Sequence, residues 1–118
     1  MRLKNLRKRK MVNHLYYSYR IIWSAEDQEF VGLCTEFPSL SYLDEDRSTA
    51  LSGITDLVRG VVVEMQSNGE AVPDPIAERR FSGNFQVRVP PDLHRDLYIK
   101  AAEENVSLNR YVSYKLAC

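Results

Sequence analysis

Cysteine is scarce in this chain: Cys34 and Cys118 are the only two in 118 residues. They make neither a disulfide framework nor a zinc motif, and such usage fits a reducing cytoplasm. Histidine is equally sparse. His14 and His94 lie far apart, with no cysteine or carboxylate at ligand spacing, so neither a metal site nor a cofactor is expected. No apolar run approaches the roughly 18 residues of a membrane span. The basic start, Arg2 to Lys10, is not followed by an apolar stretch with a small-residue cleavage site, so a secretory signal is not expected either. Net charge is also missing. Sixteen Lys+Arg balance sixteen Asp+Glu, and the global sum names no partner. What is present is ordinary for a folded chain: 27% charged and 44% hydrophobic residues, at a length of one domain or two very small ones.

The charge is zero only in total. Residues 1–20 hold seven basic groups and no acidic one. Residues 21–75 hold eleven acidic groups against Arg47 and Arg59, and residues 76–118 carry a small positive excess. An acidic middle between basic ends points to two surfaces with different partners. Residues 1–12, without apolar period, read as a flexible basic arm.

Three extended segments follow. In Tyr17–Trp23 the side chains of Tyr17, Tyr19, Ile21 and Trp23 alternate onto one face. Residues 24–28 form a polar turn, Phe30–Phe37 returns as the second strand, and Pro38 ends it because it cannot donate to a ladder. Ser39–Leu43 supplies a third short strand. Asp46 then caps a long helix whose apolar stripe is Ala50, Leu51, Ile54, Leu57, Val58, Val61, Val62 and Met65. Gly53 and Gly60, seven apart, suggest close packing against the sheet. Asn68-Gly69 closes the helix, and Val72-Pro73-Asp74-Pro75 makes a stiff connector. The order β-β-β-α implies an α+β unit, an antiparallel sheet with one face covered.

The tail reads as a second unit. Asn84-Phe85-Gln86-Val87-Arg88-Val89 is a strict polar and apolar alternation stopped by Pro90-Pro91. A helix follows with Leu93, Leu97 and Ala101 on its buried side and Tyr98 and Ala102 beside them. Asn105 is a left-handed stop, and Ser107 caps a last helix with Leu108, Tyr111, Val112 and Leu116 on its apolar side. Tyr111 and Tyr114 suit packing rather than base stacking. So short a unit rarely supports its own core, and its strand has no partner within it. Pairing with the same strand of a second copy solves both problems. Phe85, Val87 and Val89 of both chains would lie under the helices as the dimer core, and Asn84, Gln86 and Arg88 would project together. A two-stranded ribbon fits the DNA major groove, and Arg, Asn and Gln are the side chains that read base edges there. The start of the last helix, with Ser107 and Asn109, offers N–H groups to phosphates.

This arrangement resembles the HicB-type antitoxins of bacterial toxin–antitoxin pairs. The likeness spans residues 19–117 and rests on Gly32-Leu33-Cys34-Thr35-Glu36-Phe37-Pro38, on Ala50-Leu51, and on Val72-Pro73-Asp74-Pro75. It continues through residues 82–91 and ends in Val106-Ser107-Leu108-Asn109-Arg110-Tyr111. The resemblance implies a partial ribonuclease-H-like domain at residues 13–75 that holds a small HicA-type toxin. It further implies a linker at 76–82 and a ribbon–helix–helix domain at 83–118 that binds the operon's own promoter as a homodimer or a larger oligomer. The acidic middle would capture a basic toxin electrostatically. Glu26, Asp27 and Glu29 of the hairpin turn, with Glu36, are the candidate surface.

Catalysis is not expected. Ribonuclease-H chemistry needs clustered carboxylates to hold two metal ions, and the first strand contains none. Asp44-Glu45-Asp46 reads as helix-start charge, Cys34 as a small buried strand residue, and His94 as a surface residue. The competing readings are a ribonuclease-H-like nuclease or RNA-processing enzyme, and a regulator whose first domain senses another ligand.

Overall fold

The computed structural model describes residues 11–118. The chain divides into two compact units, one running to Arg80 and the other spanning Phe81–Cys118. Of the basic arm, residues 1–10 lie outside the described residues; Val12 packs against the core of the first unit.

The first unit is built on an antiparallel sheet of three strands in the order β1 (Tyr19–Ser24), β2 (Glu29–Cys34), β3 (Ser41–Asp44). The hairpin turn between β1 and β2 closes with the Gln28 N–H donating to Ser24 O at 2.8 Å, and Gln28 takes a left-handed φ of 57°. β2 is shorter than its apolar run suggests. The chain turns after Cys34, where the Phe37 N–H donates to Cys34 O at 3.1 Å and the Leu40 N–H to Phe37 O at 3.0 Å.

Helix α1 (Arg47–Ser67) starts where Asp46 caps it, its carboxylate accepting from the Thr49 N–H and hydroxyl, both at 2.9 Å. Those two bonds lower the Asp46 pKa. The helix stops at Gly69, whose φ of +73° lets the Glu70 N–H return to Met65 O at 2.8 Å. Ala50, Ile54, Val58 and Val62, four residues apart, are its buried row. The last three pack with Tyr17, Cys34 and Phe37, and Tyr19, Ile21, Leu40, Val61, Met65 and Val72 surround them. Leu51 and Leu57 are exposed, contrary to the sequence expectation. Each stands one position off the four-residue row, about 100° around the helix. The stripe is therefore narrower than its composition.

Helix and sheet meet closely at two glycines. A methyl group at Gly32 would stand 2.6 Å from the Ala50 carbonyl oxygen and 2.8 Å from Ile54 Cγ2. A methyl group at Gly53 would clash with the Tyr42 ring of β3. Gly60, about 10 Å further along the axis, has open space around it, so sheet packing does not account for it.

The second unit holds α2 (Pro91–Glu103) and α3 (Leu108–Ala117). Asn105 joins them with a left-handed φ of 59°, and Ser107 Oγ caps α3 by accepting from the Arg110 N–H at 3.0 Å. Its buried side chains are Ala101 and Tyr111, with Leu97, Leu108 and Val112 half-buried. Leu93, Tyr98, Tyr114 and Leu116, expected to pack, are exposed. Two helices alone enclose too little volume to cover them. Residues 84–89 belong to no strand. A ladder needs a neighbour, and the unit offers none.

Candidate functional site

Three of the four acidic candidates converge. Glu26 and Asp27 are exposed in the hairpin turn, and Glu29 opens β2 directly after it. The turn is held by a mutual bond in which the Ser24 hydroxyl donates to Asp27 Oδ2 at 2.9 Å and the Asp27 N–H donates back to Ser24 Oγ at 3.2 Å. Four residues tightly turned thus present carboxylates on a fixed frame.

Glu36 is elsewhere, beyond the opposite end of β2, and its carboxylate is engaged internally. Oε1 accepts from the Ser18 N–H at 2.9 Å and lies 3.6 Å from Cys34 Sγ; Oε2 accepts from the Ile76 N–H at 2.8 Å. Burial raises its pKa, but the N–H groups of Ile76 and Ser18 outweigh that and hold it below the ordinary carboxylate range. The Tyr17 hydroxyl makes a second tie, donating to Pro73 O at 2.7 Å. Burial first, then the nearby Cys34 thiol and the Glu36 and Asp74 carboxylates, push the phenol up to about 12. Two side chains thereby fasten the Val72–Ile76 connector to the start of the sheet, and Pro75 within it is fully buried. Sequence reasoning missed this role of Glu36 because its partner lies 40 positions away in the chain.

Along residues 84–89 every side chain is exposed, apolar and polar alike. Phe85 is 73% exposed, Val87 65% and Val89 38%, and Asn84, Gln86 and Arg88 are exposed between them. The segment leaves a turn at Gly83, φ +87°, where the Asn84 N–H donates to Ser82 Oγ at 3.0 Å. It ends at Pro90, extended, with Pro91 opening α2. Asn109 is exposed in the first turn of α3, whereas the Ser107 hydroxyl is committed to the cap.

A further surface went unmentioned in the sequence reading. The sheet face opposite α1 carries Ile22, Val31 and Leu43 in one cross-strand row, and Leu33 beside them between Arg20 and Ser41. The signal was available: β2 carries apolar residues on both parities, and Ile22 interrupts the polar parity of β1, whereas a half-solvated strand alternates.

Among the described residues no group of three or more His, Cys, Asp or Glu side chains could hold a metal ion, and no helix is long and apolar enough to cross a membrane. Cys34 is buried in the core and His94 is exposed. Asp44 and Asp46 are occupied at the helix start, where Asp44 Oδ1 accepts the Asp46 N–H at 2.8 Å. No curated protein and no solved structure matches the chain. Residues 67–116, from the end of α1 into the last turn of α3, match the family model described as the HicB family, which supports a HicB-type antitoxin over that stretch and leaves the Gly32–Pro38 and Ala50-Leu51 blocks outside it.

Proposed function

We propose that this chain is an antitoxin of two parts. Residues 13–75, a partial ribonuclease-H-like domain, hold a small, basic, RNA-cleaving toxin of HicA type. Residues 83–118 form a ribbon–helix–helix dimer that represses the operon by binding its operator. The observation that carries the reading is a coincidence of position. The HicB match covers the same residues whose apolar alternation stands uncovered in a single chain.

Pairing Phe85–Val89 with its two-fold copy buries the apolar side chains of both ribbons under α2 and α3. Each Val or Phe so covered contributes about 1.5–3 kcal/mol, and six of them together balance the 4–15 kcal/mol that association costs. The polar side chains then lie on the ribbon's other face. Arg88 bonds guanine bidentately, Asn84 and Gln86 read adenine, and Asn109 with the Ser107 turn positions phosphate at the start of α3. Glu26, Asp27 and Glu29 attract the basic toxin, and Glu36 holds the connector by accepting the Ile76 N–H.

The test has two arms. Co-expression with the small basic protein encoded by the adjacent reading frame should restore growth and yield a stable complex; a toxic product that the chain neither binds nor neutralises refutes the antitoxin reading. In the second arm Arg88→Ala should lose discrimination between promoter and random duplex, by about 1–3 kcal/mol per half-site, and keep its toxin binding. Unchanged specificity across several salt concentrations refutes ribbon readout led by Arg88.

A further inference from the structure

Among the described residues, the sheet has one face covered by α1 and one that no other helix or strand of the first unit packs against. On the uncovered face Ile22, Val31 and Leu43 form a continuous row across all three strands, with Ile22 44% and Leu43 38% exposed. Leu33 extends the apolar area toward the Pro38 turn. Three strands about 4.8 Å apart, two of six residues and one of four at about 3.3 Å each, give a face of roughly 250 Å². Four of its eight positions, Ile22, Val31, Leu33 and Leu43, are apolar and adjacent, and Arg20, Ser24, Glu29 and Ser41 surround them.

The rim indicates what the face meets. At one end Glu29 stands on this face in the row it shares with Ser24, and Glu26 and Asp27 follow in the turn. The sheet's one cation, Arg20, lies two rows away toward the other end. An apolar centre with an acidic border fits a protein surface of apolar side chains edged by lysine or arginine. The face alone is about a third of the roughly 800 Å² that a stable interface takes from each partner. A partner seated on it must therefore also reach the acidic turn.

We propose that this uncovered face, continuous with the Glu26–Glu29 turn, is the docking site for the basic toxin; the inference rests on the antitoxin reading above and specifies its contact surface. The apolar row supplies the buried centre, and the carboxylates steer the approach. Edge strands tolerate lysine, and both Ile22 and Leu43 sit on edge strands half open to solvent. The double variant Ile22→Lys/Leu43→Lys in the full chain should therefore fold while placing like charge against a basic partner. Calorimetry with the purified product of the adjacent reading frame should show affinity reduced by about tenfold or more, as for loss of central interface residues. Ile22→Thr/Leu43→Thr should lose less.

Wild-type affinity in the folded lysine variant overturns the assignment and leaves the antitoxin reading standing. Failure of the wild-type chain to bind that product sinks both. Should the lysine variant not fold, methyl NMR of the wild-type chain decides: shifts at Ile22, Val31, Leu33 and Leu43 on adding the toxin support the face, and their absence overturns it. A lysine variant that sediments as a smaller species yet binds toxin normally assigns the face to a second copy of this chain, which also overturns the proposal.

Discussion

Glu36→Ala should loosen the first unit by an amount that follows from two contacts. The carboxylate accepts two backbone N–H groups, Ser18 at 2.9 Å and Ile76 at 2.8 Å. Bonds to a charged acceptor are worth about 1.5–3 kcal/mol when water cannot replace them, and about 0.5–1.5 kcal/mol when it can. The Ser18 bond is exposed and takes the lower figure; the Ile76 bond is half-buried and takes the upper. Truncation should therefore cost about 2–4 kcal/mol, a large share of the stability of so small a domain. Glu36→Gln keeps one oxygen acceptor and loses the charge, and should cost about half as much. The sign with pH is set by the lowered pKa of Glu36 in the fold. Its contribution is complete above the unfolded value near 4.3 and fades as pH falls through the folded one. The wild type should thus lose more stability between pH 5 and 3 than Glu36→Gln. Trp23, the single tryptophan, sits on β1 and reports the unit by fluorescence in urea titrations at pH 7 and pH 3.5. A Glu36→Ala midpoint within about 0.5 kcal/mol of wild type, or an unchanged acid slope in Glu36→Gln, refutes the view that this carboxylate fastens the connector.

Other perturbations test neighbouring parts of the argument. Gly32→Ala should destabilise the first unit by about 1–3 kcal/mol, because its methyl group meets the Ala50 carbonyl and Ile54 inside packing distance; thermal unfolding measures it, and a neutral result means α1 can slide. Tyr17→Phe should cost about 1 kcal/mol at pH 7 through loss of the 2.7 Å bond to Pro73. Its phenol pKa is raised in the fold to about 12, so the wild type should also lose stability as pH rises from about 10 to 12, and the variant should lose less. Phe85→Asp or Val87→Asp should convert a dimer to monomers in sedimentation at micromolar concentration, since a carboxylate cannot be buried unpaired at the ribbon core; a dimer that persists counts against strand pairing there.

Local grammar was enough to find most elements. The period of Ala50, Ile54, Val58 and Val62, the Asp46 and Ser107 caps, the left-handed stops at Gly69 and Asn105, and the Pro91 helix start are all written within a turn or two of chain. The first hairpin was readable as well, since β1 and β2 pair with each other, whereas residues 84–89, expected as a strand, form none in the single chain. What depended on distant contacts was not legible. Gly53 and Gly60 read alike in sequence, yet only Gly53 meets atoms from across the helix–sheet interface. Leu51 and Leu57 had the composition of core residues and fell outside a stripe whose width is set by what it packs on. Glu36 read as part of the toxin-binding surface, and folding ties its carboxylate to residues 18 and 76. Short-range backbone chemistry is encoded next to where it acts, whereas the role of a polar or borderline side chain is decided by the groups that folding brings to it from elsewhere in the chain.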